Sequence, residues 1–161
     1  MIIRELYLNK LISFRDKNLI KIITGIRRCG KSTLLEQFRN YLLQNDVNPV
    51  QIISINFEDM DYETLLDPSR LHNYLRDRLH SDKTYILLDE IQLVNDFQRV
   101  VDSLFTRKNV DLYITGSNAT MLSGEIATLL SGRYIEIEML PLSFKEYVSQ
   151  FPDESNTNKL Y

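Results

Sequence analysis

An apolar, β-branched run over residues 19–24 (LIKIIT) leads into Gly25-Ile26-Arg27-Arg28-Cys29-Gly30-Lys31-Ser32. Leu34, Leu35, Phe38, Tyr41 and Leu42 then recur at helical spacing. The middle segment reads G-x-x-x-x-G-K-[ST], with a strand before it and a helix after it, the context a phosphate-binding loop requires. Its glycines let successive backbone N–H groups curl around an anion, and the new helix aims its positive end at the same point. Lys31 is expected to reach the β- and γ-phosphates of a nucleotide, and the Ser32 hydroxyl to ligate Mg²⁺. Thr33 is the next hydroxyl, placed for the α-phosphate. Ile26, Arg27, Arg28 and Cys29 supply the intervening amides, and either arginine side chain serves phosphate, a partner or solvent. Cys29, at the helix N-terminus beside Arg28 and Lys31, is either an inert filler residue or an alkylatable thiol that bound nucleotide shields.

The rest of the chain frames this loop. Its 161 residues make one domain with a sizeable core. A net charge of −3 argues against binding nucleic acid through overall electrostatics. No apolar run approaches the roughly 18–20 residues that cross a bilayer, so no membrane association is expected. The N-terminus lacks the apolar core of a signal peptide. With a single cysteine there is no internal disulfide, and a cytoplasmic, reducing setting is expected.

Apolar periodicity predicts a short helix over 3–15 and a second buried strand over 50–57 after the Asn48-Pro49 break. Asp67 followed by Pro68 reads as the cap of a helix with Leu71, Tyr74, Leu75 and Leu79 on one face. Strands follow over 84–88, 110–115 and 134–139. Between them, Asp96 is expected to cap a helix carrying Phe97, Val100, Val101, Leu104 and Phe105. A further helix is expected over 125–130. Ser143 and Glu146 form a capping box for a last helix over 144–148. Strands alternating with helices imply parallel pairing through right-handed crossovers. The domain is expected to occupy 1–150, and the polar tail 151–161 reads as the start of a linker to a further region. His72 and His80 are expected on a helix without partners. Glu58, Asp59 and Asp61 crowd the end of the second strand, as a cap or an acidic edge.

The apolar strand Ile86-Leu87-Leu88 ends in Asp89-Glu90. A carboxylate at the end of a buried strand is costly without a partner. Mg²⁺ is such a partner, held by Asp89 through water opposite Ser32, with Glu90 polarising the water that attacks the γ-phosphorus. The strand over 110–115 leads into Gly116-Ser117-Asn118, where Asn118 or Ser117 is expected to sense the γ-phosphate or the attacking water. Arg133, after Gly132, is a candidate to stabilise charge developing on the γ-phosphate, in its own subunit or in a neighbour's, or else to form a structural salt bridge.

GIRRCGKST, ILLDEIQ, YITGSNA, LLSGRY and LPLSFKEY, in this order, resemble a group of bacterial and archaeal predicted ATPases related to AAA+ and STAND proteins. The resemblance runs from about residue 3 to residue 148. It implies an α/β three-layer P-loop NTPase, a five-stranded parallel sheet of order 5-1-4-3-2 with helices on both faces. It also implies ATP and Mg²⁺ as ligands, and Arg133 as the family's arginine; a homo-oligomer in which Arg133 serves a neighbouring copy is one arrangement open to it. A C-terminal region commonly follows in that group, through which a nucleic acid or a protein effector is engaged. By analogy, the adenine pocket involves the N-terminal helix around Arg4 and Leu8.

The function expected is ATP hydrolysis with Mg²⁺. A non-hydrolysing nucleotide switch and a P-loop small-molecule kinase are the alternatives. A kinase needs neither Glu beside the strand-end Asp nor a polar-tipped inserted strand, and no arginine-rich lid is present. A GTPase is disfavoured because Asn158-Lys159-Leu160-Tyr161 lacks the aspartate of the guanine motif N-K-x-D.

Overall fold

A computed structural model describes residues 3–117, 121 and 124–148. Five strands, β1 (Ile20–Gly25), β2 (Ile52–Asn56), β3 (Thr84–Asp89), β4 (Val110–Gly116) and β5 (Tyr134–Met139), form one sheet of order β2-β3-β4-β1-β5. Every pairing is parallel. This is the expected order, read from the other edge. Side chains of β1 and β3 are buried along their whole length, as befits strands covered on both faces. β2 lies at an edge and alternates buried with exposed positions, so it is a half-covered strand and not the fully buried one expected.

Six helical segments are described: α1 (Glu5–Ser13), α2 (Lys31–Gln44), α3 (Pro68–Arg76), α4 (Phe97–Phe105), α5 (Gly124–Leu129) and α6 (Phe144–Val148). Two separate apolar clusters define the three layers. Leu11 of α1 and Leu34, Leu35, Phe38 and Leu42 of α2 pack on Ile23, Leu87, Tyr113 and Ile137. On the other face, Leu71, Leu75, Val100, Val101, Leu104 and Ile126 pack on Ile22, Ile55, Ile86, Leu88 and Ile114. Alternate residues of each strand therefore feed opposite cores, the period-2 consequence of the pleat.

Three local expectations are corrected. Strand β2 begins at Ile52, because Asn48 Oδ1 accepts from Val50 N and Gln51 Oε1 from Asn48 N, winding Pro49–Gln51 into a 3₁₀ turn. Asp96 adopts a left-handed φ of 48° and makes no side-chain cap to α4. α3 ends at Arg76, so Leu79 and His80 lie beyond it. Both histidines have partners: His72 Nε2 is 3.0 Å from Ser103 Oγ, and His80 Nδ1 accepts from Asp82 N. Two other expected caps do form. Asp67 Oδ1 accepts from Arg70 N, and Ser143 and Glu146 bond reciprocally. Asp59 caps an unforeseen 3₁₀ segment, Met60–Leu66, by accepting from Asp61 N.

At the end of the sheet where the strands begin, Lys21 and Asp111 are buried together. Lys21 Nζ contacts Asp111 Oδ1 and donates to Lys17 O, while Asp111 Oδ2 accepts from Tyr113 Oη at 2.8 Å and Asp16 N at 2.9 Å. Burial pushes the Lys21 ammonium down, with Asp111 pulling it back. Burial and then Asp111 push the Tyr113 phenol upward. This end is opposite the phosphate loop, so the network belongs to the scaffold.

Candidate functional site

Strand β1 ends at Gly25 and α2 begins at Lys31, so the loop sits at the carboxyl end of the sheet's interior. A Cβ on Gly25 would stand 2.6 Å from Cys29 Sγ and 2.7 Å from Met139 O. The loop is thus folded tightly against β5, and only glycine fits there. Arg28 (φ 68°) and Gly30 (φ 98°) are both left-handed, which closes the curl before the helix starts. Holding a non-glycine residue in that region costs on the order of 1–3 kcal/mol and is commonest at functional sites. Cys29 is buried in the α2-side core. It is a packing residue under the loop, the inert filler of the two readings and not the accessible thiol.

Lys31 Nζ bends back over the loop, donating to Gly25 O at 3.0 Å and Ile26 O at 3.2 Å. It also stands 3.7 Å from Glu90 Oε1. A buried ammonium needs such company. Phosphate oxygens would supply the same charge and the same acceptors. Ser32 and Thr33 open α2 beside it, with Ser32 exposed.

Asp89 closes β3, and β4 lies between β3 and β1. Thr115 of β4 spans the gap: its Oγ1 donates to Asp89 Oδ1 and accepts from Glu90 N at 3.0 Å. Glu90 itself is left-handed (φ 56°, ψ 46°). Its carboxylate is held by Gln92 Nε2 on one oxygen and faces Lys31 with the other. Ser32 and Asp89 line one cleft of about 460 Å³ with Asn56, Glu36 and Arg39. No cluster of three His, Cys, Asp or Glu suited to a metal occurs among the described residues. A Mg²⁺ here would therefore take Ser32, Asp89, water and phosphate oxygens, the donor set that phosphate-loop proteins use.

Sequence reasoning missed Thr115 and Gln92. The visible signals were a threonine at the end of the strand, just before Gly116, and an amide two residues after Glu90. Arg4 is buried beside the loop and donates to Cys29 O at 3.1 Å, Leu140 O at 2.7 Å and both carboxylate oxygens of Glu146. Hydrogen bonds from Ser143 and then the Arg4 guanidinium hold the Glu146 carboxyl below its ordinary range. A cleft of about 590 Å³ opens next to Arg4, lined by Tyr7, Leu140 and Pro141. Leu8, expected there too, packs instead against the α2-side core.

Arg27 pairs with Glu58 at 3.7 Å on the rim of the loop, both exposed. Arg133 lies just before β5, and its backbone O accepts from Ile20 N at the start of β1. Its guanidinium pairs with Asp102 of α4. Six residues of β1 separate that end from the loop, on the order of 20 Å at 3.3 Å per residue, so the structure does not bring Arg133 to Lys31 within one chain. Ser117 lies at the loop end of β4, and Asn118 falls outside the described residues.

A parallel sheet of this order with a phosphate loop after its central strand defines a nucleotide-binding ATPase-like domain of the P-loop class. The chain matches the AAA domain family over residues 17–148 and belongs to it. An uncharacterized protein of Haemophilus influenzae is 48% identical over 150 residues, covering 92% of this chain and 38% of the relative. An uncharacterized protein of Methanocaldococcus jannaschii is 39% identical over 134 residues, covering 81% and 28%. The chain thus spans well under half the length of these relatives. Among solved structures, Caenorhabditis elegans PCH-2 is similar with TM-score 0.58 and 16% identity, covering 89% of this chain and 44% of that one. A DNA polymerase III gamma subunit-related protein of Thermotoga maritima gives 0.59 at 11% identity, covering 89% and 49%. At such identities these two show the fold alone. No described helix is long and apolar enough to cross a membrane.

Proposed function

We propose that this domain binds ATP with Mg²⁺ and hydrolyses it, driving or switching an attached or separate effector. The observation that carries the reading is Glu90, its backbone pinned by Thr115 and one carboxylate oxygen directed to the lysine of the phosphate loop. The loop amides and Lys31 hold the phosphates, and Ser32 and Asp89 hold the metal. Mg²⁺ neutralises charge on the phosphate oxygens and orients them. Glu90 takes the proton of the attacking water. The cleft beside Arg4 is the site proposed for the base.

Arg133 enters this reading only from a neighbouring copy, since its own loop is at the other end of β1. A Glu beside the strand-end Asp favours water over another acceptor, and so hydrolysis over the kinase reading. Incubation with labelled ATP and Mg²⁺ tests both. The reading expects ADP and free phosphate in equal amounts, with a specific rate that rises with protein concentration when Arg133 acts between copies. Binding without phosphate release would make the domain a switch.

A further inference from the structure

Gln92 sits in the 3₁₀ turn Ile91–Leu93 directly after Glu90, and the turn folds its side chain back over that carboxylate. Its Nε2 donates to Glu90 Oε2. The amide orientation follows from chemistry, because a carboxylate accepts and cannot face the carboxamide oxygen favourably. The other end of the amide fares badly: Gln92 Oε1 is buried without a hydrogen-bond partner among the described residues. It lies against the backbone of Gly116, where a Cβ would stand 2.8 Å away. A buried unpaired acceptor is a cost to folding, and such an exception in a native protein calls for a reason outside stability.

We propose that Gln92 is a positioning residue for Glu90. This rests on the reading of Glu90 as the base for ATP hydrolysis. The Nε2 hydrogen bond fixes Oε2 and so directs Oε1, 3.7 Å from Lys31 Nζ, to the place where water meets the γ-phosphoryl group. Two neighbours complete the restraint. Thr115 holds the Glu90 amide, and the missing side chain of Gly116 leaves room for the carboxamide oxygen close to β4, beside Met121. With Gln92 removed, the carboxylate keeps its chemistry and loses its aim. A base that binds no ligand tighter but points correctly changes kcat and leaves affinity alone.

Gln92→Met, close in shape but without the N–H donor, tests this in the intact chain. Its kcat is expected to fall about 10-fold, part of the roughly 10²–10⁴-fold that a positioned general base contributes. ATP affinity is expected to stay at the wild-type value. Its Tm is expected to hold or rise, because the unpaired oxygen is gone. In a Glu90→Gln background, Gln92→Met is expected to lower the residual rate no further, since it acts through the carboxylate. If Glu90→Gln turns over ATP like wild type, or wild type does not turn it over, the hydrolysis reading and this proposal fall together. If Glu90→Gln is slow while Gln92→Met keeps full kcat, or loses the same factor in both backgrounds, the role of Gln92 alone is overturned.

Discussion

Asp111→Ala is expected to lower the stability of the domain by about 3–5 kcal/mol, the usual loss when one member of a buried ion pair is removed. Three groups lose their partner at once. Lys21 Nζ keeps only Lys17 O, and Tyr113 Oη and Asp16 N are left without the oxygen they donate to. Against a typical total of about 5–15 kcal/mol, such a loss is a large fraction. Urea unfolding with unchanged slope and a much lower midpoint is the expected record. Lys21→Met combined with Asp111→Leu and Tyr113→Phe is expected to recover much of the loss, since the two side-chain donors disappear along with the acceptor and only the Asp16 amide stays without it. A loss under about 1 kcal/mol for Asp111→Ala, the range of an exposed pair, would contradict the account. The folded fraction of the variant is expected to bind nucleotide normally, because Lys21 lies near the opposite end of β1 from the loop.

Glu90→Gln is expected to lower kcat by about 10²–10⁴-fold, the span of a positioned general base. The amide keeps the shape of the side chain but does not accept the proton of water. Affinity for ATP should hold or increase. In the free protein Glu90 Oε1 stands 3.7 Å from Lys31 Nζ, and that negative charge competes with phosphate for the same ammonium. Single-turnover rates and equilibrium binding separate the two effects. Loss of binding with the rate per bound ATP preserved would instead make Glu90 a structural anchor of the loop.

How much of this could be read from the chain depends on whether a feature is local or long-range. The strand, tight loop and helix around residues 25–31 were legible because strand, glycines, lysine and helix are consecutive. The layers were legible too: parallel pairing follows from alternating elements, the strand order from the family resemblance, and the two cores from the pleat. Caps with their own short motif, such as Asp67 or Ser143 with Glu146, also held. Asp96 had the right residue type and still failed, since a left-handed backbone carries its side chain away from the helix start.

Pairings across the sheet were not legible. Thr115 reaches Asp89 over a sequence separation of 26, and it does so only because β4 is inserted between the two site strands. Arg4 reaches Glu146 over 142, so composition marks it merely as a charge near the N-terminus. Gln92 was in plain view beside Glu90. Its meaning depends on the 3₁₀ turn and on Gly116, which no periodicity announces. Arg133 was placed correctly before β5, but only the fold shows how far that lies from the loop.

Equilibrium binding of ATP with Mg²⁺ to wild type and to Lys31→Ala tests the central claim most directly. Charged hydrogen bonds are worth about 1.5–3 kcal/mol each. Lys31→Ala should therefore weaken binding by about 100-fold, or roughly 2.8 kcal/mol at 1.4 per tenfold, with the fold intact by circular dichroism. Saturable wild-type binding that the variant loses is the predicted result. A folded wild type that binds no nucleotide, or a Lys31→Ala variant that binds as well as wild type, would contradict the account.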